Sequence, residues 1–241
     1  MKMNDKKKNI CILLARGGSK GIKNKNIVNF HGKPLVYYTI KPILESKLFD
    51  RIIVSTDSKK IKGECIKFGA EVPFLRPKKI SKDKSNFRDA IKHAMIWIEN
   101  NYGKYENVLY TYPTNPLRLK EDFIKAYKLL KTKKSELIIS VAEDSHPIFW
   151  SNKLKKNLSM KNFVDPKFSK NRQELPKTYH VDGSIWLGKW EVFFQKKDFF
   201  QVNSHCMIFP KMRSIDIDDI NHLQYAKIKY EKLMAKKQKK L

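Results

Sequence analysis

The sequence predicts an α/β protein: a mostly parallel, Rossmann-like sheet with helices on both faces. Three observations carry this. Short apolar runs alternate with stretches whose apolar residues recur every three or four positions, as far as residue 141. The first run, Ile10 to Ala15, opens into the glycine-rich turn Arg16-Gly17-Gly18-Ser19-Lys20-Gly21. That turn, Ser55-Thr56-Asp57 and Tyr112-Pro113-Thr114-Asn115 all follow strand-like runs, at the carboxyl ends where such sheets bind ligands.

The elements follow in order. Ile10 to Ala15 is a buried strand bounded by glycine. Pro34 suits a helix first turn, and Leu35, Tyr38, Ile43 and Leu44 give that helix an apolar face through about Ser46. Residues 51–57 form a second strand. A helix from about Ser58 stops at Gly69. Glu71 to Leu75 is extended and ends at Arg76-Pro77. In 86–101, Phe87, Ala90, Ile91, Ala94, Met95 and Ile98 share one helical face. Asn107 to Tyr112 is a strand, broken by Pro113 and Pro116. A helix over 121–132 and a strand over 136–141 follow. From His146 to Thr178 no period survives, and the segment reads as an excursion from the sheet. Strand-like sequence returns at 183–187 and 206–209. A last helix spans about 219–235, and Lys236 to Leu241 reads as a frayed tail.

The chain has 241 residues, suited to one α/β domain. It contains no apolar run of about 18 residues, so a membrane span is not expected. Its first eight residues lack the apolar core of a secretory signal. Cys11, Cys65 and Cys206 are isolated, which argues against a zinc site or a disulfide framework and suits a reducing cytoplasm. The formal net charge is +27. Nine of these charges lie in residues 1–9 and 227–241; the rest are mostly scattered lysines. Nucleic-acid binders cluster their cations with aromatics on one face, so specific nucleic-acid binding is not expected. A basic nucleic-acid-binding protein is the alternative outside the enzymes.

Arg16, Lys20 and Lys25 put three cations around the opening turn, and glycines there can aim backbone N–H groups at an anion. The spacing is not that of the Gly-x-x-x-x-Gly-Lys phosphate loop. A solvated basic loop would use the same residues. Across the chain, Ser214-Ile215-Asp216-Ile217-Asp218 alternates apolar and acidic side chains. Extended, it would bury both isoleucines and project Asp216 and Asp218 together. Two such carboxylates suit Mg²⁺ beside substrate phosphates; helix capping by Asp218 or Asp219 is the plainer alternative.

Taken together these stretches resemble the acylneuraminate cytidylyltransferase family. The resemblance runs through 14–21 with Lys25-Asn26, then 49–57, Leu75-Arg76-Pro77, Pro113 to Arg118, Arg172 to Pro176 and Ser214 to Asp218, in the family's order. It implies a nucleotidyltransferase fold with a dimerisation segment, which the excursion at 146–180 would supply. It implies CTP and Mg²⁺. Arg16, Ser19, Lys20 and Lys25, with Gly17, match phosphate-holding positions, and Asn26 and Arg76 match nearby nucleotide positions. Asp216 and Asp218 match the metal-binding pair. Arg16, Lys25 and Asp216 are therefore the expected catalytic residues. Tyr112, Thr114, Asn115, Arg172, Gln173, Tyr179 and Asp182 match the region near an acid sugar, which the partner subunit of a homodimer would help to complete.

Two departures concern the sugar. Tyr112 and Asn115 stand where sialic acid enzymes carry Gln and Ser, and Asp182-Gly183-Ser184-Ile185-Trp186 replaces Asn-Gly-Ala-Ile-Tyr. Tyr112-Pro113-Thr114, residues 71–77 and Tyr179-His180 lean toward the pseudaminic acid branch. Ser19 to Ile22 and the aspartate run lean toward the sialic and legionaminic branch. The expected reaction joins CTP to the anomeric hydroxyl of a nine-carbon 2-keto acid and releases pyrophosphate. The runner-up is transfer involving another nucleotide or sugar.

Overall fold

In the computed structural model, which describes residues 8–195 and 198–238, the alternation along β1 (Asn9–Leu14) sets the layers. Cys11 and Leu13 face one side of the sheet; Ile10, Ile12 and Leu14 face the other. The first side is covered by α1 (Tyr37–Ser46), α2 (Lys59–Lys67) and α4 (Lys120–Thr132), through Ile40, Ile61 and Phe123 among others. The second is covered by α3 (Phe87–Tyr102) and α5 (Trp190–Gln195), through Ala94, Ile98 and Phe193. The helices are anchored by ordinary caps: Ser58 accepts from the Ile61 N–H and Asn86 from the Arg88 N–H.

With β4 (Arg51–Ser55), β5 (Asn107–Thr111), β6 (Leu137–Glu143), β7 (Tyr179–Lys189) and β8 (Ser204–Ile208), the six-stranded order is β4-β1-β5-β7-β6-β8. β1 is parallel to β4 and β5, and β6 to β8; β7 is antiparallel to both its neighbours. The reason is the excursion. The chain leaves β6 at Glu143 and re-enters opposite it at Tyr179, at the same end of the sheet. The returning strand must run back down. β7 is also longer than 183–187, because Tyr179–Val181 pair with β6 beyond the buried half.

Pro34 does not start a helix. It lies in β3 (Lys33–Pro34), paired with β2 (Asn29–Phe30), and α1 begins at Tyr37. His31 and Gly32 both have positive φ, at 46° and 80°, which makes a tight hairpin turn the local solution. The frayed tail is corrected in part: α6 (Ile220–Gln238) includes Lys236 to Gln238, while 239–241, like the first seven residues, fall outside the described set. Cys11 and Cys65 are buried, but Cys206 is exposed. Among the described residues no helix is long and apolar enough to cross a membrane.

Residues 144–178 contain only short 3-10 turns, one of them Arg172–Glu174. The segment holds itself together locally. Phe149 stacks on Phe168 at 4.2 Å, and the Trp150 indole donates to the Phe168 carbonyl at 3.0 Å.

Candidate active site

A cleft of about 490 Å³ opens at the carboxyl ends of β1 and β5. The opening turn contributes Arg16, Ser19, Lys20 and Gly21, and the 3-10 turn after it contributes Lys25 and Asn26. Arg76 and residues 80–83 form another wall. Tyr112, Thr114, Asp216 and Asp218 complete it.

The turn is held from behind. The Gly17 N–H donates to the Asp57 carboxylate at 2.7 Å, and the Asn26 amide donates to the Arg16 carbonyl at 2.8 Å. Gly17 therefore does not line the cleft; its N–H is spent on β4's end, which corrects its expected phosphate role. Gly21 is required by a close approach: a Cβ there would sit 2.2 Å from the Asp218 carbonyl oxygen. The turn and the aspartate segment thus touch backbone to backbone.

Residues 214–218 are extended, although they form no ladder. Ile215 and Ile217 are buried in a third cluster with Phe30, Leu35, Leu117, Leu223 and Ala226. Asp216 and Asp218 consequently face the cleft, as the alternation predicts. The Ile217 N–H donates to the Thr114 carbonyl at 2.9 Å, tying the segment to the end of β5. Asp216 lies open to the cleft yet has protein around most of it. Its carboxyl is pushed above the usual range, first by lost hydration and then by the charge of Asp218; a hydrogen bond from Thr114 opposes this. Lys25 Nζ stands 3.0 Å from Asp218 Oδ1.

Arg76 is buried at the cleft wall, and Nε donates to Ser81 Oγ at 3.1 Å. Burial pulls its guanidinium below its ordinary value, opposed by nearby Asp57. Tyr112 lines the cleft, accepts from the Tyr110 hydroxyl at 3.3 Å, and has its phenol pushed up by burial.

The predicted sugar-side residues divide into three groups. Tyr112 and Thr114 line the cleft. Asn115 and Asp182 lie beside it but turn inward, correcting a direct contact role. The Asn115 amide donates to the carbonyls of Ile215 (3.1 Å) and Asp182 (3.3 Å). Asp182 accepts from the hydroxyls of Ser140 (2.5 Å) and Ser184 (2.6 Å). Arg172, Gln173 and Tyr179 are exposed and lie outside the cleft of this subunit.

Two contributors escaped sequence reasoning. Arg118 is buried behind the end of β5, against Thr111 and Tyr112. Its guanidinium donates to the carbonyls of Ser184 (2.9 Å) and Tyr112 (2.5 Å) and to the hydroxyls of Thr39 (2.6 Å) and Thr111. Burial lowers its pKa to about 10, so it stays charged at neutral pH. Asp83 reaches into the cleft and pairs with Arg16 (2.5 Å) and Lys20 (3.0 Å). The available signal was a single acid within the basic run 78–84, just after Arg76-Pro77.

Among the described residues no group of three or more His, Cys, Asp or Glu could hold a metal. Two carboxylates do suit a hard ion that completes its shell with water and phosphate oxygens. Lys25, seated against Asp218, already supplies a cation at that place.

Cations on a turn at the end of the first strand, packed beside paired carboxylates in one cleft, are what nucleotidyl transfer asks of a site. The class that follows is a nucleotidyltransferase, on a mostly parallel α/β sheet. The match to known proteins is finer. A family model described as cytidylyltransferase covers residues 10–241, and the chain belongs to that family. It is 33% identical over 224 residues to a pseudaminic acid cytidylyltransferase of Campylobacter jejuni, covering 93% of this chain and 97% of that protein. It is 35% identical over 211 residues to an N-acylneuraminate cytidylyltransferase of Escherichia coli, covering 87% of this chain and 49% of that one. In fold it is similar to a CMP:2-keto-3-deoxy-manno-octonic acid synthetase complexed with CTP, with TM-score 0.70 and 14% identity over 95% of this chain and 99% of that chain.

Proposed function

We propose that this chain couples CTP to the anomeric hydroxyl of a nine-carbon 2-keto acid sugar of the sialic, legionaminic or pseudaminic type, giving the CMP-sugar and pyrophosphate. The observation that carries this is the cleft itself, which gathers Arg16, Lys20 and Lys25 with Asp216 and Asp218, in a chain similar to two cytidylyltransferases for such acids.

In this reading Arg16, Lys20 and Lys25 bind the triphosphate, with Ser19 and Asn26 shaping the turn beneath it. Arg76 closes the nucleotide wall. Asp216 and Asp218 would hold Mg²⁺, which when bound neutralises phosphate charge as pyrophosphate departs. Tyr112 and Thr114 face the acid sugar. The acceleration comes from alignment and from fixed charges aimed at the phosphates.

The whole chain acts as one nucleotidyltransferase domain in the cytoplasm, working as a homodimer with residues 146–180 at the interface. Exposed Ile148, Leu154, Leu158 and Met160, with Tyr179 and Val181 on the projecting end of β7, support that interface. Arg172, Gln173 and Tyr179, away from this subunit's cleft, would then serve the partner's.

The test is pyrophosphate release from CTP and Mg²⁺ against N-acetylneuraminic, legionaminic, pseudaminic and 3-deoxy-octulosonic acids. Release with one nine-carbon acid, lost in folded Arg16→Ala and Asp216→Ala, is expected. Release only with UTP or GTP, or normal turnover and metal dependence in Asp216→Ala, would overturn the assignment.

A further inference from the structure

We propose that Asp83 is a built-in counter-anion for the phosphate subsite, which CTP displaces on entry and which helps to expel pyrophosphate afterwards. The inference rests on the nucleotidyltransferase reading above. The observation is a juxtaposition. The two Asp83 oxygens are divided between two cations: Oδ1 lies 2.5 Å from Arg16 Nη1, and Oδ2 lies 3.0 Å from Lys20 Nζ. Both cations line the same cleft as Asp83. A carboxylate held this way presents two anionic oxygens where the reading places phosphate oxygens.

Asp83 comes from the wall opposite the turn. Its loop follows the 3-10 turn Lys78–Ile80 and is pinned at its start by Ser81, which accepts from Arg76 Nε at 3.1 Å and donates to the Pro77 carbonyl at 3.0 Å. At its end, Asn86 caps α3. Asp83 thus lies between two fixed points. Its carboxyl is held below the usual range by Lys20 and Arg16, so it is an anion at neutral pH.

A triphosphate cannot bind Arg16 and Lys20 while Asp83 keeps them, and a phosphate brought beside a free Asp83 is repelled. Binding is therefore an exchange of anions. The pairs are part-exposed, with about a third of the Arg16 and Asp83 side chains and most of Lys20 open to solvent. Such pairs are weak enough to yield to a multivalent anion. The exchange weakens CTP and pyrophosphate by a similar factor, because each breaks the same two pairs. CTP gains further contact along the nucleotide wall at Arg76 and tolerates that cost, whereas pyrophosphate has only the cations. Asp83 therefore acts as a product-releasing residue.

The experiment is calorimetric titration of inorganic pyrophosphate, and separately of CTP, into wild type, Asp83→Asn and Arg16→Ala, each with a thermal melt. Two displaced pairs of this exposure predict pyrophosphate binding about three- to tenfold tighter in Asp83→Asn, with a gain of similar size for CTP. Pyrophosphate inhibition of turnover should strengthen in step. Unchanged or weaker pyrophosphate binding in folded Asp83→Asn would overturn the proposal. Arg16→Ala separates the two levels. Weakened binding there supports the cation subsite, while wild-type binding there would sink the subsite and the proposal with it.

Discussion

Replacing Gly21 by alanine tests the contact on which the cleft's geometry depends. The new Cβ would sit 2.2 Å from the Asp218 carbonyl oxygen, against 3.4 Å for the start of ordinary contact, so about 1.2 Å is missing. The obstacle is backbone, which cannot swing aside. The turn and the 214–218 segment must part, carrying Lys20 and Lys25 away from the aspartates. Overpacking of this kind costs about 1–3 kcal/mol, and loss of unfolded-state freedom returns about 0.4–1 kcal/mol. The net is up to about 2.6 kcal/mol, and at about 2–4 °C per kcal/mol for a chain of this size the melting temperature should fall by up to about 10 °C. Gly18→Ala is the matched control, because a Cβ there meets nothing within 4 Å. Gly17→Ala should fall between them, its Cβ 2.9 Å from Ser58 Cβ. The assay is a melt with CTP-dependent pyrophosphate release on each variant. A Gly21→Ala protein matching Gly18→Ala in both stability and KM for CTP would refute the close-contact argument.

Arg213→Met should destabilise the fold by about 3–5 kcal/mol in chemical denaturation, because Asp122 would lose a buried partner (Nη2 to Oδ1 2.7 Å) while still capping α4 through the Leu119 N–H. Asp216→Asn, without metal, should melt at or above wild type at pH 7 while losing turnover. The raised pKa means that folding favours the protonated acid, a contribution present in acid and lost as pH rises through the folded value, so the gap should close at low pH; a lower melt at pH 7 would contradict this. On the proposed assignment of Tyr112 to the acid sugar, Tyr112→Gln should change the preferred acid in a substrate panel while leaving KM for CTP within about twofold.

The parallel half of the fold was legible because its residues obey one rule at a time. β1 alternates between two apolar layers, and α3 repeats at three and four, so local pattern and tertiary burial agree. The aspartate pair was legible for the same reason, since Ile215 and Ile217 mark the buried side. What was missed depends on contacts remote in sequence. The direction of β7 follows from where an irregular excursion ends, which no periodicity records. Pro34 suited a helix start, but the positive φ at His31 and Gly32 places it in a hairpin. Asn115 and Asp182 were expected beside the substrate because they match the family's sugar-side region. They turn inward because the extra antiparallel strand brings carbonyls and serine hydroxyls to meet them.

The same distinction explains why a chain with net charge +27 need not bind anions indiscriminately. Arg16 and Lys20 are matched by Asp83, and Lys25 by Asp218. The five cations lining the cleft face three carboxylates, so much of its positive charge is offset locally, unlike that of the lysines spread over the rest of the surface. A polyphosphate there replaces Asp83 at Arg16 and Lys20, and a cation replaces Lys25 beside Asp218. A bare anion satisfies one half of that exchange, and a bare divalent ion the other. In the proposed reaction a metal–nucleotide would satisfy both, so these pairs would favour that complex over either ion alone.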